Sequence, residues 1–115
     1  MHQIPAEWLA TAGLQGFKPS QASYRCDKPH ELIAVADIEM PARNAEVTLD
    51  VNGFGRDRMM KILVGIRQND SMPPIQIELA DPGQRHYRLR AGFHRYYASL
   101  TIGFLYVPTE LVDRL

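Results

Sequence analysis

A single cysteine, Cys26, occurs in 115 residues, so no internal disulfide can form and the fold must rest on a hydrophobic core, as is usual in a reducing compartment. Neither sign of charge dominates, because 13 Lys and Arg face 13 Asp and Glu. That balance excludes whole-molecule steering onto DNA or an anionic membrane. No apolar run approaches the ~20 residues of a membrane span, and Met1-His2-Gln3-Ile4-Pro5 lacks the basic region and apolar stretch of an export signal. A cytoplasmic location is the expectation. Histidine is sparse, and His2, His30, His86 and His94 stand at no metal-ligand spacing with one another or with Cys26, so no metal site is expected. Ser71 and Ser99 lack the flanking residues of a nucleophile elbow; helix interruption and ordinary helix surface are their expected roles.

Apolar residues at 45% and charged residues at 23% describe one globular domain of ordinary size. Residues 1–30 read as an N-terminal extension packed on the core, with Pro5 opening a short helix and Trp8 serving as an apolar peg. The domain proper is expected over 31–115. Leu32-Ile33-Ala34-Val35-Ala36 has the branched, apolar composition of a buried strand, followed by the Met40-Pro41 turn, and a second extended piece is expected over Val47 to Val51. From Arg56 to Arg67, Met59, Ile62, Leu63 and Ile66 recur at the spacing of one helical face. Pro73-Pro74 prevents that helix from continuing. Ile75 to Leu79 and Tyr87 to Ala91 alternate as strands joined by a turn at Asp81-Pro82-Gly83, His94 to Ile102 reads as a helix ended by Gly103, and Phe104 to Val107 as a last strand before Pro108. The order predicts an α/β (α+β) fold, a small mixed sheet with two main helices.

Charge is unevenly placed within this plan. Between Pro82 and Thr109 there is no acidic residue, whereas Arg85, Arg88, Arg90 and Arg95 all fall there. Inside this stretch Gly92-Phe93-His94-Arg95 opens a predicted helix. A helix N-terminus presents unpaired amides and a partial positive charge, and a glycine beside it permits close approach of a phosphate. Arg95 can form paired hydrogen bonds to two phosphate oxygens and His94 can donate one more.

The element order, together with Pro73-Pro74-Ile75, the strand through Tyr87, Gly92-Phe93-His94-Arg95-Tyr96 and the closing Val107-Pro108, resembles the ParB/sulfiredoxin superfamily over residues 32–107. The family places a Gly-x-His-Arg or Gly-Glu-Arg-Arg turn at the start of this helix. The resemblance implies a nucleotide- or phosphate-binding domain, with ATP or CTP and magnesium as the implied cofactors and Gly92, His94, Arg95 and Arg58 as the implied ligands. Lys61 and Arg43 are secondary candidates. In sulfiredoxins the residue after the glycine is the nucleophilic cysteine; here it is Phe93, which cannot attack, so sulfinic acid reduction is not expected. The positions that match the sulfiredoxin ATP-contacting lysine and two hydroxyl residues are Arg58, Lys61 and Gly65, so a basic group persists and both hydroxyls are replaced.

ParB proteins pair this turn with CTP and with a separate helix-turn-helix domain. The present chain ends at Leu115 soon after the core, so autonomous sequence-specific DNA binding is not expected, and neither is a membrane partner. Asp37 and Glu39 stand where a phosphotransferase base would follow the first strand, although closing that strand explains them without chemistry. No catalytic residue is assigned. Two other function classes stand beside the nucleotide-binding one. A non-catalytic interaction or regulatory module retaining the fold would expose apolar surface around Trp8 and Phe54. A ParB-like nuclease or DNA-associated protein would need a carboxylate cluster that the sequence does not show.

Overall fold

Three helices and four strands follow one another in a computed structural model that describes residues 3–41, 53–80 and 86–112. The elements are α1 (Ala6–Thr11), β1 (Glu31–Ala34), a 3-10 turn (Val35–Asp37), α2 (Arg56–Gln68), β2 (Ile75–Leu79), β3 (Tyr87–Ala91), α3 (Phe93–Ile102) and β4 (Tyr106–Leu111). The strands form one mixed sheet in the order β1-β4-β2-β3, antiparallel except where β2 lies parallel to β4. This is the single mixed α/β domain that the pattern of elements predicts. The extended piece expected over 47–51, the Asp81-Pro82-Gly83 turn and Arg43 lie outside the described residues.

Alternation explains which sheet face is covered. Ile75 and Ile77 of β2 and Val107 of β4 are buried, and on α2 the buried Met59, Leu63 and Ile66 recur at helical spacing. The α3 face adds Tyr96, Tyr97 and Ala98 to the same cluster. Helix α2 ends on Asn69, whose left-handed backbone (φ 59°) lets its amide and that of Asp70 satisfy the last carbonyls.

The last strand differs from its predicted extent. It begins at Tyr106 and runs through Pro108 to Leu111, in a central position of the sheet. A proline is tolerated there because the parallel ladder to β2 starts only at Thr109, so its missing amide interrupts no bond on that side. Likewise β1 stops at Ala34, where the chain tightens into the 3-10 turn. Ser99, expected on the helix surface, is fully buried, because it falls on the face of α3 that packs against the core, beside Tyr96 and Ala98.

Residues from the first thirty contribute to the same core. Ile4, Trp8, Ala12, Leu14 and Tyr24 are buried in it. Backbone bonds tie this segment to the rest: Met72 N–H donates to Arg25 O at 2.9 Å and Tyr106 N–H to Ala22 O at 3.1 Å. Arg67 Nε donates to Ala12 O at 2.8 Å, and Ser71 Oγ accepts Asp27 N–H at 2.9 Å.

Candidate functional site

Gly92 sits between β3 and α3 with φ 105°, ψ 32°, a conformation that only glycine adopts without strain. Space reinforces the requirement, since a Cβ there would lie 2.6 Å from Ile75 Cγ2. The glycine therefore lets the β3–α3 turn press onto β2. Its carbonyl accepts Tyr96 N–H at 2.9 Å, which starts the helix.

The first turn of α3 faces a cavity of about 710 Å³. One wall is formed by Leu89 through Arg95, the other by Arg58, Lys61 and Ile62 of α2, with Pro41, Met72 and Pro73 between them. Four of the lining residues are cations: Arg58, Lys61, Arg90 and Arg95. No carboxylate is among the described residues of the lining. Apolar lining residues beside four cations suit an anion attached to a flat or apolar body.

A second feature concentrates the positive potential. Gly55, the residue that caps the N-terminus of α2, donates its amide to His94 Nε2 at 3.0 Å. His94 lies in the first turn of α3, so two helix N-termini meet at one hydrogen bond. Each carries a partial positive charge; in the first turn of α2, Arg56 and Arg58 add to it while Asp57 opposes it, and of these three Arg58 lines the cavity. Because a backbone amide can only donate, His94 Nε2 is unprotonated in this bond and the neutral ring carries its proton on Nδ1. The ring itself is 4% exposed and packs with Phe54 and Phe93 at centroid distances of 5.7 Å.

Arg95 is anchored as well as placed. Its Nη1 donates to Pro73 O at 2.7 Å and to Pro74 O at 3.1 Å, which straps α3 to the segment entering β2. Pro73 O also accepts the Tyr24 hydroxyl at 2.6 Å. Burial pushes the Tyr24 phenol well above its ordinary range, with the nearby Arg95 charge opposing that rise in part. On α2, Arg58 and Lys61 are exposed on the cavity wall. Gly65 is not in the lining; it packs under the following turn, where a Cβ would stand 3.7 Å from Met72 Sδ.

Other residues singled out in the sequence fall elsewhere. Glu39 Oε1 and Oε2 pair with His86 Nε2 at 3.2 Å and Arg88 Nε at 3.3 Å, and Asp37 lies in the 3-10 turn. Neither lines the cavity. Cys26 is partly buried, with Sγ 3.6 Å from Lys28 O. Trp8 and Phe54 are 7% and 0% exposed. Arg90 is the lining cation that strand alternation concealed, because β3 carries an irregularity beside it. Gln76 pairs with Ala91 and Ile77 with Leu89, so Arg90 is an unmatched residue, a β-bulge.

This chain is similar in structure to the C-terminally truncated chromosome-partitioning protein ParB from Caulobacter crescentus, crystallised in complex with CTP-γ-S, with a TM-score of 0.53 and 16% sequence identity. The fold is ParB-like. The match covers 76% of this chain and 46% of the ParB chain, so the present chain spans less than half of that protein. No protein-family model and no curated protein matches it. Among the described residues, no helix is long and apolar enough to cross a membrane, and no group of three or more His, Cys, Asp or Glu could hold a metal ion.

Proposed function

We propose that this domain binds a nucleotide, or another phosphate-bearing ligand, in the cavity at the N-terminus of α3. The observation that carries the reading is the meeting of two helix N-termini beside Arg58, Lys61, Arg90 and Arg95, with no carboxylate among the described lining residues. Four cations line one cavity, and a bound anion lowers their mutual repulsion. The ParB fold, seen with a CTP analogue in the Caulobacter protein, supports a nucleotide over a simple anion.

In this reading Gly92 sets the tight β3–α3 turn that places the helix end at the cavity, and Arg95, preset by its two carbonyl contacts, offers its remaining N–H groups. Arg58 and Lys61 close from α2. His94 contributes through its place in the first turn and by holding Gly55 against α3, since its Nε2 is occupied as an acceptor. The apolar lining at Ile62, Met72, Leu89 and Phe93 receives the base or sugar. The side-chain cations of the lining contribute to neutralising the phosphates. No reaction is assigned, because Phe93 stands where a sulfiredoxin would carry its nucleophile.

A thermal-shift panel of CTP, ATP, GTP, ADP, phosphate and sulfate on wild type and Arg95→Ala tests the proposal. A ligand present at 100 times its Kd adds about 2.7 kcal/mol to the native state, so at least one nucleotide is expected to raise the melting temperature of wild type. The increment should vanish in Arg95→Ala, whose unligated melting temperature is itself lower because the Pro73 and Pro74 contacts are gone. If no ligand shifts wild type, the cavity is not a nucleotide site. The buried Trp8 and Phe54 offer no exposed patch in favour of an interaction module.

A further inference from the structure

Arg90 enters the cavity wall because of the bulge in β3, and its guanidinium is held from behind by a buried acid. Arg90 Nη1 lies 3.5 Å from Glu78 Oε2, with the Glu78 side chain 7% exposed and that of Arg90 51% exposed. A carboxylate so deeply buried is stabilised by a cationic partner. At 3.5 Å the contact is at the outer limit of a hydrogen bond, so Glu78 orients the guanidinium while drawing on only one of its five donors. The Arg90 side chain as a whole is half-exposed, beside a cavity whose described lining residues include no acid.

We propose that Arg90 is a specificity-determining residue that favours ligands with two or more linked phosphates over ligands with one, and that Glu78 is its positioning residue. The inference rests on the phosphate-binding reading above. Arg90 lies two residues before Gly92, about 6.6 Å along an extended strand at ~3.3 Å per residue, so its side chain is offset along the wall from the helix end. A single phosphate seated at the α3 N-terminus is served by the helix and Arg95. A diphosphate or triphosphate extends along the wall and meets Arg90 as well, with Arg58 and Lys61 on the facing side. Arg88, two residues earlier, is paired with Glu39 and is outside the lining, so the bulge separates two arginines that simple alternation would treat alike.

Calorimetric titration with orthophosphate, pyrophosphate and tripolyphosphate tests this on wild type, Arg90→Ala, the double variant Glu78→Gln/Arg90→Ala, and Arg88→Ala. The double variant removes the buried carboxylate along with its partner, so binding can be read even if Arg90→Ala alone folds poorly. Loss of one charge-assisted contact is expected to weaken tripolyphosphate about tenfold or more, while orthophosphate changes less than about twofold and Arg88→Ala behaves as wild type. An equal loss for all three probes, or an unchanged tripolyphosphate-to-orthophosphate ratio, overturns the role of Arg90 and leaves phosphate binding standing. Wild type that binds neither these probes nor any nucleotide overturns both.

Discussion

Replacing Gly92 by alanine adds one methyl group at the junction of β3 and α3, and two separable penalties follow. The first is conformational: φ 105° is strained for any residue with a Cβ, at about 1–3 kcal/mol. The second is steric, because the new Cβ would stand 2.6 Å from Ile75 Cγ2 and 2.9 Å from Ile75 Cβ, and overpacking of this kind costs about 1–3 kcal/mol. Gly103 supplies the control. It has a similar φ of 99° with nothing within 4 Å of its would-be Cβ, so Gly103→Ala carries only the first penalty. Urea unfolding followed by circular dichroism measures both. With a slope of about 1–3 kcal/mol per molar for a domain of this size, Gly92→Ala is expected to unfold at a midpoint ~1–3 M below wild type, and Gly103→Ala at an intermediate value. Equal midpoints for the two variants would refute the steric argument and show that Ile75 yields to the methyl group without penalty.

Removing the Tyr24 hydroxyl as Tyr24→Phe should destabilise the fold by about 1 kcal/mol, seen as a lower urea midpoint, because Pro73 O then keeps only its contact with Arg95. Alkaline conditions should weaken the native state. Tyr24, Tyr96 and Tyr97 are all raised by burial, so their stabilising effect is complete below the unfolded phenol pKa of about 10 and is lost as pH climbs beyond it toward the folded values. A urea midpoint that holds constant from pH 8 to about pH 11 would contradict this. Chelation with EDTA should leave at least part of the nucleotide-induced thermal shift in place, since the cavity cations neutralise the phosphates; complete loss of the shift would show that magnesium is indispensable.

Much of this architecture could be read from residue spacing. The α2 periodicity, the alternation of β2 and β3, and the break at Pro73-Pro74 are local signals, and each element formed where its signal lies. The exceptions have non-local causes. Pro108 looks like a strand terminator, and its tolerance inside β4 depends on where the parallel ladder to β2 begins. Arg88 and Arg90 are indistinguishable by alternation, and the bulge that divides them is set by pairing with β2. Gly92 was legible as a turn residue, while its closeness to Ile75 was not. His94 illustrates the limit for sites: a histidine in a Gly-x-His-Arg turn suggests a donor to phosphate, and only the position of Gly55 reveals that its Nε2 accepts a backbone amide.

Pro73 O takes hydrogen bonds from both Tyr24 and Arg95, so the first thirty residues act as a strut behind the cavity wall. Trimming them to obtain a minimal fragment would remove more than a stretch of core; it would release the strap that fixes the guanidinium at the helix end. Fragments for crystallography or ligand screening should therefore begin upstream of the Ile4–Trp8 packing, and a label placed near Tyr24 would report ligand occupancy through the carbonyl it shares with Arg95.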